Sequence, residues 1–197
     1  MKAIAVVFHP LLMPTYTFAI LVSVTPQVLP PMGWALLPFI TLSTFLTPSL
    51  GVLVLRVSGS ISSIAMAERQ ERYLPLLFAS IFYTVSTVMF MIKIQADGVA
   101  STMLISTTVL ILVLMVITWF YKVSIHSAGV SGVLGFLTVI YMSSPTLQLK
   151  YAIATALIIS GLVMTARLFV NAHTPKQVLL GWVIGFVICF SGLFFFG

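Results

Sequence analysis

Arg167 and His173 lie six positions apart in the segment TARLFVNAHTPKQ, between two long apolar runs. A cation and an imidazole at such a connection are costly to place, and ionisable residues at membrane depth or edge are functional candidates for that reason. Further upstream, Arg69 and Arg72 close the segment RVSGSISSIAMAERQERY, and Lys122, Ser124 and His126 fall together in KVSIHSAG. Arginine offers a rigid fork that matches phosphoryl oxygens. One histidine in an anion pocket can attack phosphorus while another protonates the departing oxygen. Flanking cations would stabilise the charge on the group in transfer. Two or three histidines without nearby Asp, Glu or Cys fall short of a usual zinc set, so no metal or other cofactor is expected.

The elements that must position these groups are membrane spans. The mean hydropathy is +1.21. Only 6% of the 197 residues are charged, against roughly a quarter in a soluble domain. The runs between charges reach the ~20 residues a helix needs to cross ~30 Å of hydrocarbon. The alternation of a transmembrane barrel strand is missing. The fold class is therefore all-α, a polytopic transmembrane bundle of about six to seven spans forming one domain over 1–197.

The runs are about 8–29, 34–55, 74–94, 101–121, 128–142, 151–170 and 178–196, a count of seven. The first carries Pro10 and Pro14 near its start, and Pro48 should kink the second. Spans alternate faces, so the connections holding Arg69 and Arg72, Lys122 and His126, and Arg167, His173 and Lys176 share one face. His9 is expected there too. Lys93, Asp97 and Lys150 go to the other. The small-residue series Gly129, Gly132, Gly135 and the pair Gly181, Gly185 predict close packing of the fifth and last long runs. That packing would draw the two histidine-bearing connections together.

Each feature alone has an ordinary reading. Single cations at span ends snorkel, Glu68 and Arg72 can pair along a helix, and Cys189 reads as a small buried hydrophobe. The formal charge of +6 is too scattered for a nucleic-acid surface and fits anionic headgroups. Together the cations and histidines describe a pocket for a polyanion at headgroup level.

Arg167-x5-His173 followed by Gly181 and Gly185 resembles the third signature, Ser-Arg-x5-His-x3-Asp, of the type-2 phosphatidic acid phosphatase superfamily. Ser124-Ile125-His126 resembles the second, Pro-Ser-Gly-His, and Arg72-Tyr73-Leu74-Pro75 the end of the first, Lys-x6-Arg-Pro. The likeness spans about residues 69–185. It implies a metal-independent membrane phosphatase acting on a lipid phosphate or diphosphate, of the phosphatidic acid or isoprenyl diphosphate class. By the resemblance, His173 is the nucleophile that forms a phosphohistidine and His126 the acid. Arg72, Arg167 and Ser124 hold phosphoryl oxygens, with Arg69 or Lys122 replacing a missing lysine. Gln177 stands where the family's orienting Asp is expected, Ala166 at the Ser, Ala65 at the first-signature Lys, and Val123 and Ile125 at the Pro and Gly. Two extra residues part Arg72 from Pro75.

The alternative is a catalytically degenerate headgroup binder or transporter on the same fold. A solute channel would need polar residues deep in the spans, where Thr44, Thr47, Thr107 and Thr108 are ordinary membrane-helix residues. Expected partners are membrane lipids and an anionic lipid phosphate, with a homo-oligomer left open. The expected location is the bacterial inner (cytoplasmic) membrane. Positive-inside counting puts the basic face in the cytoplasm, whereas the family likeness points to the periplasm, so the face stays open.

Overall fold

The computed structural model describes residues 2–29, 33–63, 68–94 and 98–197. Ala65, Gln95, Ala96, Asp97, Pro30 and Pro31 lie outside the described residues. In chain order the helices are α1 (Lys2–Val7), α2 (Met13–Val24), α3 (Leu36–Thr41), α4 (Thr47–Val57), α5 (Tyr73–Met89), α6 (Val99–Phe120), α7 (Ile125–Ser143), α8 (Leu147–Phe169) and α9 (Pro175–Phe196). Among the described residues, six helical stretches are long and apolar enough to cross a membrane: 33–57, 70–93, 99–120, 125–143, 147–169 and 175–196. The chain is an all-α polytopic bundle.

The first apolar run differs from the count of seven. It is split into α1, a 3-10 turn at Pro10–Leu12, and α2, which has 12 residues. Pro10 has no N–H to continue α1, and the turn is capped by His9, whose Nδ1 accepts the Leu11 N–H. Pro14 then sits in the first turn of α2, where a missing N–H costs nothing.

Pro48 acts through its neighbours. A π-turn at Leu42–Leu46 joins α3 to α4, a common way to relieve a disrupted ladder. The Thr44 carbonyl, four residues before the proline and denied its usual helical donor, accepts the buried Tyr83 hydroxyl at 3.1 Å.

The bundle turns on α7, the most deeply buried of the six spans, which packs along α9. Glycines permit this approach. A Cβ at Gly135 would stand 2.8 Å from both Phe186 O and Phe190 N. One at Gly132 would stand 2.9 Å from Cys189 Sγ, and Gly181 and Gly185 face the Ser124 and Ala128 carbonyls. Backbone against backbone leaves no room for a side chain. Cys189 is buried in this seam. The outer surfaces of α4, α5 and α9 expose large apolar residues such as Leu50, Ile81 and Phe195, as a lipid-facing bundle requires.

Candidate active site

The close packing of α7 on α9 brings their starts together, and the Ser124 N–H donates to the Gln177 backbone carbonyl at 3.2 Å. Ser124 is the N-cap of α7, accepting the Ser127 N–H and hydroxyl. His126 therefore stands in the first helical turn, not in a loop.

The connection from α8 to α9 is equally determined. Asn171 is left-handed, with φ 52°, a conformation that Asn tolerates better than most residues. The Asn171 N–H returns to Leu168 O at 2.9 Å and the Ala172 N–H to Arg167 O at 3.1 Å, the two bonds of a Schellman ending. Two residues later Thr174 caps α9 in a reciprocal capping box with Gln177. This short double turn sets Arg167 at the end of one helix and His173 just before the next.

His173 is buried, 7% exposed, as is Arg72. Its Nδ1 lies 3.1 Å from Gln177 Oε1, and its Nε2 lies 3.3 Å from Arg72 Nη1. A guanidinium can only donate, so Nε2 presents its lone pair and Nδ1 carries the hydrogen. The amide oxygen accepting at Nδ1 requires the same tautomer. Burial, and next the Arg72 charge, push the imidazole down to about 4, with Arg167 and Lys122 adding to the shift and the Gln177 hydrogen bond opposing it. At neutral pH the ring is uncharged, with its lone pair at Nε2.

Arg72, Lys122, His126, Arg167 and His173 line one cavity of about 980 Å³. Arg167 Nε is buried there with no hydrogen-bond partner among the described residues. His126 donates Nε2–H to the Ala5 carbonyl at 3.1 Å, an acceptor left over at the end of α1. Its Nδ1 remains for proton transfer. Beyond this polar end the cavity is walled by apolar side chains, Leu76, Ile111, Leu114 and Phe136 among them, and Tyr83. It also touches the exposed Leu46, Leu50 and Leu53 of the α3–α4 span. Among the described residues, no group of three His, Cys, Asp or Glu side chains is placed to hold a metal ion.

Two of the expected phosphate-binding residues are placed elsewhere. Arg69 donates to the Thr118 and Trp119 carbonyls at the end of α6, and it does not line the cavity. Ser124 is fully buried with its hydroxyl on Ser127, so its contribution is to start α7. One histidine that lines the cavity was not among the expected site residues: His9, whose ring centre lies 5.6 Å from that of His126. Its only sequence signal was its place on the basic face.

No curated protein and no solved structure matches the chain. Residues 118–195 match the sequence model of the PAP2 superfamily, a stretch that holds His126, Arg167, His173 and Gln177 and leaves out Arg69 to Pro75. Over that stretch, from the last residues of α6 through α7, α8 and α9, the chain is similar to the PAP2 superfamily.

Proposed function

We propose that the protein hydrolyses a phosphoric ester or anhydride of a membrane lipid through a phosphohistidine at His173. The observation that carries this reading is the environment of one ring: His173 has Nδ1 on Gln177 and Nε2 facing Arg72, at the polar end of a cavity whose remaining walls are mostly apolar. A phosphoryl group entering there takes the Arg72 N–H donors away from Nε2 and also meets Arg167, whose buried Nε has no hydrogen-bond partner among the described residues. The His173 Nε2 lone pair forms the N–P bond. The bond from phosphorus to the leaving oxygen breaks, its electron pair goes to that oxygen, and His126 Nδ1 delivers to it a proton taken from the entering phosphoryl monoanion. Water then attacks phosphorus, giving its proton to His126 Nδ1 as the N–P bond breaks. Arg72, Arg167 and Lys122 bear the charge that develops on the phosphoryl oxygens. The apolar shaft and the exposed leucines beside it suit an acyl or isoprenyl chain entering from the bilayer.

The test is phosphate release by purified protein from phosphatidic acid and isoprenyl diphosphate, with His173→Ala as control. Release from either substrate that vanishes in the variant supports the reading. The second reading, a headgroup binder without turnover, is favoured by one observation, the uncharged Gln177 at the orienting position. It predicts retained lipid-phosphate binding with no release.

A further inference from the structure

All three histidines of the chain line the same cavity, and the mechanism proposed above uses two. The third, His9, arrives on a separate piece of chain. Its position is built. α1 ends before it, Pro10 follows it, and the Tyr16 hydroxyl holds the Val7 carbonyl at 3.0 Å. The His126 ring donates to the Ala5 carbonyl, so the segment before His9 is held at both Ala5 and Val7. His9 is half-buried, and its ring meets that of His126 edge to face.

Its tautomer follows from one contact. The Leu11 N–H donates to Nδ1 at 3.4 Å, so the hydrogen of the neutral ring is on Nε2. That Nε2–H makes no hydrogen bond among the described residues. Burial, then the charge of Arg167, lowers the His9 pKa, so the ring is neutral at pH 7.5. A neutral donor lining the same cavity as an arginine whose own Nε has no hydrogen-bond partner among the described residues is an arrangement in want of an anionic oxygen.

We propose that His9 is a substrate-binding residue, donating Nε2–H to an oxygen of the phosphoryl group held by Arg167. The N-terminal segment is thereby a third arm of the site, beside the α7 and α8–α9 connections. The inference rests on the anion-site reading above but not on turnover.

Inorganic phosphate binding to the full-length protein in detergent at pH 7.5, read by isothermal titration, tests it. Arg167→Leu reports on the anion site itself, and His9→Leu and His9→Gln on the donor, since a glutamine amide can reproduce a donor near Nε2. The expected result is loss of binding in Arg167→Leu, about tenfold weakening in His9→Leu as for a hydrogen bond to a charged group, and affinity within about twofold of the parent in His9→Gln. Parent-like affinity in His9→Leu while Arg167→Leu fails to bind overturns the role of His9 alone. Equal weakening in both His9 variants also overturns it, because the loss then follows the ring and not its donor. Absence of binding in the parent overturns the anion site and His9 with it.

Discussion

Gln177 Oε1 lies 3.1 Å from His173 Nδ1 and, at 3.2 Å, also accepts the Thr174 N–H. One amide oxygen thus finishes the capping box of α9 and fixes the tautomer of the proposed nucleophile. Gln177→Glu keeps the reach and adds a negative charge that favours the imidazolium-like transition state. Phosphate release is expected to rise several-fold. Gln177→Leu removes both contacts; turnover should drop at least tenfold and the protein should lose about 1 kcal/mol of stability from the cap. Steady-state kinetics and thermal melting separate the two effects.

The depressed His173 pKa, about 4, fixes a pH dependence. The nucleophile is the neutral ring, so activity is present above that value and is lost as pH falls through it. The acid limb of kcat/KM from this group is expected near pH 4, well under the ~6.5 of a free imidazole. Removing the Arg72 charge in Arg72→Met should shift that limb upward, whatever its effect on the plateau. A limb unmoved by this change would contradict the electrostatic assignment.

Packing of α7 on α9 can be tested apart from chemistry. Gly135→Ala places a methyl group against the backbone of α9 at Phe186 and Phe190, and about 1–3 kcal/mol of destabilisation is expected. Gly161 in α8 has nothing within 4 Å of its Cβ position, so Gly161→Ala should be neutral or stabilise by up to about 1 kcal/mol. Melting temperatures of the pair in one detergent provide the comparison.

Tyr83→Phe removes the hydroxyl that satisfies the Thr44 carbonyl ahead of Pro48. Loss of this buried bond should cost about 1–2 kcal/mol. Because Tyr83 stands in the apolar part of the cavity, its effect is expected on stability and on lipid-substrate KM rather than on the pH profile.

The spans and the sharing of one face by Arg72, His126, Arg167 and His173 were legible because a bilayer imposes length and alternation on every helix. The glycine positions foretold the α7–α9 seam for the same kind of reason, since only missing side chains let backbones meet. The length of the first helix was not legible: Pro10 and Pro14 act on the local hydrogen-bond ladder, which hydropathy does not register. Arg69 and Ser124 have the right chemistry on the right face, but carbonyls at the end of α6 and the open N–H groups of α7 claim them first. Such claims depend on where helices end to within a residue or two. His9 was placed on the basic face but not assigned to the site, because its partner, His126, is 117 positions away by numbering and no local spacing joins them.

The central claim, covalent transfer to His173, is tested most directly by trapping the intermediate. Lipid phosphate carrying radioactive phosphorus is mixed with purified protein, quenched in alkali within a turnover, and digested. The expected result is an acid-labile, alkali-stable label on the peptide containing His173, absent from His173→Ala and increased in His126→Ala if breakdown of the intermediate is slowed more than its formation. Phosphate release by the parent protein that continues unchanged in His173→Ala would contradict the account.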